Sequence, residues 1–109
     1  MREATLSGPE KRRFRRVAMV AKIEAEAGGT PYLAEGCNIS VGGLLIRSTK
    51  TLEENQTLRL KFTLPGVDRE IRVTASVRHV SPGAFMGVSF EDLSQEDLAA
   101  IERFVNEVP

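Results

Sequence analysis

The chain has 109 residues, of which 41% are hydrophobic and 28% charged, the size and composition of one soluble domain with its own core. Two domains, or disorder throughout the chain, do not fit these values. The 15 Lys and Arg residues balance the 15 Asp and Glu residues overall, but residues 1–16 carry a net charge of +4 and residues 91–109 one of −5. A basic segment beside a nearly neutral body favours an anionic ligand.

The first ten residues include Gly8 and Pro9 and contain few apolar groups, so they predict a flexible lead. They lack the apolar run of a signal peptide, and no later stretch approaches the roughly 20 apolar residues that span a bilayer. We therefore expect a cytoplasmic protein that does not insert into a membrane, with a flexible lead over 1–10 and a single domain over 11–109.

Alternation of apolar and polar residues predicts about six short strands, because successive side chains in a strand point to opposite faces. The clearest two run over 57–64 and 70–78 and form a hairpin around the turn Pro65-Gly66. The other four are expected near 17–26, 32–37, 43–48 and 84–90, and the pattern as a whole indicates a mostly β protein, a barrel or a sandwich. The residues expected to face the core are Val17, Met19, Ala21, Ile23, Ala25, Leu58, Leu60, Phe62, Leu64, Ile71, Val73, Ala75, Val77, Ala84, Met86, Val88 and Phe90.

The period changes near the C-terminus, where a helix is predicted over 94–106. Ser94 is a favourable N-cap, and Asp97 follows three residues later as in a capping box. Leu98, Ile101 and Val105 recur on one side of such a helix. We therefore expect the helix to pack this apolar stripe against the β-structure.

A basic segment, Lys11-Arg12-Arg13-Phe14-Arg15-Arg16, comes directly before the first predicted strand. Guanidinium groups are planar, permanently charged and forked, so they bind phosphate, grip the edge of guanine and stack on bases. A solvated basic segment or a loose nucleic-acid arm has the same composition. The segment alone therefore does not identify a ligand.

A second polar stretch, Asn38-Ile39-Ser40-Val41-Gly42-Gly43, lies between two of the predicted strands. Asn and Ser have short hydrogen-bonding side chains, and glycine allows positive φ and lets a ligand approach the backbone closely. An ordinary polar turn contains the same residue types. This stretch, too, is weak evidence by itself.

Together, the two stretches resemble the paired signature of the PilZ domain family, RxxxR followed by (D/N)xSxxG. Arg12 and Arg16 match the first motif, and Asn38, Ser40 and Gly43 match the second. The end of the chain is also similar to that family, with the sequence FMGVSF, then Leu-Ser and a terminal helix. The resemblance covers about residues 10–106 and implies a six-stranded antiparallel PilZ-type β-barrel with a C-terminal α-helix.

Many PilZ domains are bacterial receptors for cyclic di-GMP, so the resemblance implies this ligand and no metal or other cofactor. Arg12 and Arg16 would hold its guanine and phosphate groups. Asn38, Ser40 and Gly43 would form the opposing turn, which bonds a guanine edge and lets the nucleotide sit against the barrel. The neighbours included in the same predicted site are Lys11, Arg13 and Gly42.

Three further positions bear on the predicted site. Asn38 stands where the family often has Asp, so a neutral oxygen replaces a charged acceptor for guanine N–H groups. His79 stands near the end of the fifth strand, where many members have Trp, and it would stack less strongly on a base. Lys11 precedes the arginine pair, a position that the resemblance connects with whether one nucleotide or a stacked pair is bound.

The function that the resemblance implies is a single-domain adaptor that binds cyclic di-GMP and presents a changed surface to a protein partner. On binding it would order its N-terminal arm, the basic segment over residues 11–16. A PilZ-like adaptor that works through protein contacts alone is the first alternative. A barrel that binds single-stranded nucleic acid is the second, but it needs exposed aromatic platforms, and the chain has one Tyr and no Trp. We therefore expect no DNA partner. We also expect no enzyme, because Cys37 and His79 lack an orienting third group and an oxyanion motif.

Overall fold

The computed structural model of the chain describes residues 15–50 and 52–107. They form six strands and a C-terminal helix, here called α1. The elements are β1 (Val17–Ala27), β2 (Thr30–Ser40), β3 (Gly43–Arg47), β4 (Thr57–Thr63), β5 (Glu70–Ser81), β6 (Phe85–Phe90) and α1 (Gln95–Glu107).

The six strands form one closed antiparallel barrel in the order β1-β2-β3-β6-β5-β4. Residues 23–26 of β1 pair with residues 59–62 of β4 and close the ring. The hairpin predicted around Pro65-Gly66 is present, with Leu60 paired to Val73 at its centre. The mostly β fold, its six-stranded antiparallel barrel and its C-terminal helix are therefore confirmed.

The barrel interior is filled by the predicted inward rows, because each strand turns its alternate apolar residues to the same side. Phe90 is only half-buried, although its ring stacks on Phe62 with centroids 6.5 Å apart. The buried members of the predicted rows are Val17, Met19, Ile23, Ala25, Leu58, Leu60, Phe62, Leu64, Ile71, Val73, Ala75, Val77, Met86 and Val88.

Besides Phe90, two predicted core positions differ in the structure. Ala21 is half-buried, because the pairing of β1 with β2 is irregular between Ala18 and Ala21 and breaks the strict alternation there. Ala84 belongs to no strand: it has a φ of 67° and lies in the turn before β6. Alternation alone does not reveal either irregularity, since both depend on how one strand pairs with another.

The helix begins as the sequence predicts. The Ser94 hydroxyl accepts a hydrogen bond from the backbone N–H of Asp97 at 3.1 Å, which satisfies one of the free donors at the start of α1. The buried carboxylate of Asp97 accepts a hydrogen bond from Arg69 Nε at 2.8 Å, so the loop before β5 holds this end of the helix. Ile101 and Val105 are buried against the barrel.

The helix has 13 residues. Within residues 15–50 and 52–107, no helix combines the length and the apolar character that crossing a bilayer requires.

Candidate functional site

One row of residues crosses four strands on the outside of the barrel. Cross-strand pairing places Asn38 of β2 beside Leu45 of β3, Leu45 beside Gly87 of β6, and Gly87 beside His79 of β5. Asn38 and Leu45 are half-buried, and His79 is exposed. We call these four residues the outer row; it has polar side chains at its two ends and a low apolar floor between them.

Irregular pairing shapes both ends of the outer row. Two irregularities converge next to Asn38: β1 and β2 change register between Ala18 and Ala21, and β2 and β3 do so between Gly36 and Asn38. The third lies between Val77 and His79 in β5. Because a bulge re-aims the side chains that follow it, these irregularities determine that Asn38 and His79 lie in the same outward row.

The His79 imidazole covers Gly87. A Cβ atom built on Gly87 would overlap the Cε1 atom of this ring and lie 2.8 Å from its Nδ1 atom. The ring therefore occupies the space that any larger residue at position 87 would need. The His79 end of the outer row is thus an exposed aromatic side chain over Gly87.

The second arginine of the RxxxR motif meets the first residue of the second motif at the other end of the outer row. Arg16 Nη1 donates a hydrogen bond to Asn38 Oδ1 at 2.6 Å, although the two residues are 22 positions apart. The pairing of Ala18 with Asn38 explains the contact, because Arg16 stands just before β1 at this level of the barrel. The structure thus brings Arg16 of the first motif to Asn38 of the second.

The stretch predicted as a polar turn is mostly strand. Asn38, Ile39 and Ser40 are the last residues of β2, and only Val41 and Gly42 form the loop to β3. The Ser40 hydroxyl accepts a hydrogen bond from the Gly42 backbone N–H at 3.1 Å, and Ser40 is only 2% exposed. The buried Ser40 oxygen therefore stabilises the conformation of the loop between β2 and β3.

Gly43 does not use the positive φ that glycine allows, since the described glycines with positive φ are Gly28, Gly29, Gly66 and Gly83. A Cβ atom on Gly43 would instead overlap the Val88 carbonyl oxygen and lie 3.1 Å from the Ser89 Cα atom. Glycine at position 43 lets β3 approach the backbone of β6.

The remaining predicted site residues are Lys11, Arg12 and Arg13, which lie outside the described residues together with Phe14. Sequence reasoning missed Leu45 and Gly87, the floor of the outer row. Gly87 belongs to the FMGVSF sequence, but only the pairing of β6 with β3 and β5 shows that it lies between Asn38 and His79.

A second surface depression, of about 370 Å³, lies on β1, β4 and β5, where Glu24, Arg59, Lys61 and Arg72 are among its lining residues. Lys61 lies 3.2 Å from Glu24, and Arg72 lies 2.9 Å from the Glu70 carboxylate. Charges of both signs are thus already paired on this face. It is a poorer place for a doubly anionic ligand than the outer row, where a guanidinium contacts a neutral amide.

Comparisons with known proteins agree with this fold. The model of the PilZ domain family matches residues 10–107. The Bacillus subtilis inhibitor of motility MotI/DgrA superposes with a TM-score of 0.74 at 18% identity, over 97% of this chain and 51% of its own. This chain therefore spans about half the length of that protein.

Two similar structures were solved with c-di-GMP. The PilZ domain of YcgR from Escherichia coli has a TM-score of 0.68 at 11% identity, over 88% of this chain and 89% of that one. PlzA from Borreliella burgdorferi has a TM-score of 0.61 at 18% identity, over 97% of this chain and 41% of its own. At sequence identities this low, the structural similarity demonstrates a shared fold and nothing further. A comparison with curated proteins finds no match.

Proposed function

Because the chain belongs to the PilZ domain family, we propose that it is a receptor for cyclic di-GMP that passes the signal to a protein partner. The ligand would lie along the outer row, with one end at Arg16 and Asn38. Arg12, together with Lys11 and Arg13, would close over it from the N-terminal arm, as the family motif implies.

The observation that carries the proposal is the 2.6 Å contact between Arg16 and Asn38. A guanidinium fork binds phosphate oxygens or the O6/N7 edge of guanine, and a carboxamide offers both donors and an acceptor to a base edge. The two groups are mutually oriented on an exposed surface beside the loop that Ser40 holds. This supports a site for a nucleotide with both a guanine and a phosphate.

The dimensions of the outer row support the same ligand. Three strand spacings separate Asn38 from His79, which is about 14 Å. Leu45 is half-buried and the His79 ring lies over Gly87, so a flat purine can approach the row over Leu45, between Asn38 and the His79 ring. The exposed His79 ring then offers a stacking surface at the far end.

The same geometry gives no support to a catalytic pairing of Cys37 with His79. Cys37 lies in β2 next to Asn38, and strands β3 and β6 lie between it and His79. A nucleophile and its base must lie within hydrogen-bond distance of each other. We therefore propose a binding function, without catalysis.

The test is isothermal titration calorimetry of the purified protein with cyclic di-GMP, with cyclic di-AMP, GTP and a short single-stranded oligonucleotide as controls. We expect saturable heat with cyclic di-GMP alone. Binding of the oligonucleotide with a steep salt dependence would instead indicate a nucleic-acid protein. Absence of heat with every compound would contradict a receptor and favour an adaptor that acts through protein contacts.

Ser40→Ala is expected to weaken cyclic di-GMP binding by about 0.5–1.5 kcal/mol, because the loop loses the hydrogen bond that holds it. Ser48→Ala is the matched control, since the buried Ser48 hydroxyl accepts an equivalent bond from the Lys50 N–H at 3.0 Å in another loop. Both variants should lose similar stability in thermal melts, but only Ser40→Ala should lose affinity in calorimetry. Equal affinities would show that Ser40 has no specific part in the site.

A further inference from the structure

Two consecutive arginines contact different parts of the molecule. Arg16 Nη1 bonds Asn38 Oδ1 on the barrel, whereas Arg15 Nη1 donates a hydrogen bond to the backbone carbonyl of Val105 at 3.0 Å. Val105 lies in the last turns of α1, 90 positions along the chain from Arg15. The two residues before β1 therefore connect the end of the helix to the candidate nucleotide site.

The Val105 carbonyl needs a donor from outside the helix. In an α-helix the carbonyl of residue i bonds the N–H of residue i+4, and for Val105 that residue is Pro109, which has no N–H. Val105 is only 3% exposed, and a buried carbonyl without a donor is costly. Arg15 supplies a hydrogen bond to this carbonyl.

The charges at the C-terminal end of α1 also favour a contact with Arg15. The last turn of the helix contains no basic residue, and Glu107 adds a negative charge where the helix dipole is already negative. The first turn is held separately, by Ser94 and by the pair of Arg69 with Asp97. Arg15 thus places a positive charge at the C-terminal end of the helix, whose last turn contains no basic residue.

We propose that Arg15 is a positioning residue for the nucleotide site: it fixes the root of the N-terminal arm to the Val105 carbonyl and so places Arg16 beside Asn38 before the ligand binds. The proposal rests on the proposed function. Coupling between two sites is reciprocal, so a ligand that orders Arg16 also stabilises the last turn of α1.

Affinity measurements test the positioning role. Arg15→Ala is expected to weaken cyclic di-GMP binding about three- to tenfold, because ordering Arg16 must then be achieved during binding. Arg15→Lys keeps a cationic donor and should recover most of the affinity. Arg59→Ala is the control for lost positive charge, since Arg59 is exposed on β4 opposite Glu26, at the far end of β1.

Hydrogen exchange of the backbone amides in residues 104–107 tests the coupling itself. In the wild type we expect cyclic di-GMP to slow exchange in this last turn, and Arg59→Ala should behave in the same way. In Arg15→Ala the exchange should be faster without ligand and should no longer respond to ligand. If Arg15 only stabilised the helix, Arg15→Ala would raise the exchange rate of these amides but leave the affinity for cyclic di-GMP unchanged.

The possible outcomes separate this inference from the function on which it rests. If the wild type binds cyclic di-GMP and Arg15→Ala binds it as tightly as Arg59→Ala does, the positioning role is overturned and the receptor function stands. If the wild type binds no cyclic di-GMP, the receptor function is overturned, and the coupling with it.

Discussion

Arg16→Ala is expected to weaken cyclic di-GMP binding about tenfold or more while the barrel stays folded. Arg16 is exposed and contributes nothing to the core, so its removal should leave the melting temperature nearly unchanged. The loss of affinity follows from removing the guanidinium that contacts Asn38 at 2.6 Å at this end of the outer row. Calorimetry with cyclic di-GMP measures the effect.

Two companions make the Arg16 result specific. Arg59→Ala removes the same charge from an exposed position on another face and should bind almost as the wild type does. Arg12→Ala should reproduce the loss seen in Arg16→Ala, since the family motif gives both arginines a part in holding the ligand. Wild-type affinity in Arg16→Ala would show that the nucleotide is not bound where the two motifs meet.

Gly43→Ala is expected to lower the free energy of unfolding by about 3 kcal/mol, because its methyl group has no space. The atom in its way is the Val88 carbonyl oxygen, which belongs to backbone. Pairs of Gly43 with Ser89 and of Leu44 with Val88 hold β3 against β6 here, so the methyl group can be accommodated only by distorting that pairing. Urea unfolding measures the loss.

Gly87→Ala is the control for Gly43→Ala, because its added methyl group meets a side chain instead of backbone. The obstacle is the exposed imidazole of His79, which can rotate away at little cost in stability. We expect Gly87→Ala to unfold nearly as the wild type does, while the stacking surface at that end of the outer row is lost. Equal stability of Gly43→Ala and wild type would contradict the role assigned to Gly43.

These two glycines also show how far the sequence could predict the site. Gly43 was identified because its motif resembles that of a family, and its local context does not show why this position needs glycine. Its actual constraint comes from Val88, 45 residues away in the sequence. A close approach between backbones of distant strands leaves no local pattern, so residue chemistry alone could not reveal it.

Most of the fold was predictable because local patterns determine it. Leu60 and Val73 belong to rows that alternate strictly, and the Pro65-Gly66 turn fixes their hairpin. Ser94 and Asp97 mark the start of the helix through a capping interaction that spans three residues. In such segments the local residue preferences and the tertiary structure agree, and the prediction succeeds.

The outer row was not predictable because irregular pairing creates it. Around Asn38 the register of β2 changes against both of its neighbours, and near His79 the register of β5 changes against β6. Each irregularity shifts which residue stands opposite which, and so which side chains share a face. The chain places Asn38 and His79 in one row, although strict alternation gives no sign of it.

The contact of Arg15 with Val105 has the longest separation of the site contacts, 90 positions. Pro109 is a sequence signal for it, because a proline has no N–H to offer to the carbonyl four residues before it. A proline at this position indicates that the carbonyl needs another hydrogen-bond donor, but it does not identify that donor. The fold supplies the answer by bringing the root of the N-terminal arm to the end of α1.

The central claim is that cyclic di-GMP binds on the outer row, and backbone amide NMR during a titration with this ligand tests it most directly. We predict saturable shifts that are largest at Arg16, Asn38, Leu45 and Gly87. The chemical shifts of the amides around Arg59 and Arg72, in the surface depression on β1, β4 and β5, should stay nearly unchanged. Saturable shifts that are largest around Arg59 and Arg72, or no saturable shifts at all, would contradict the claim.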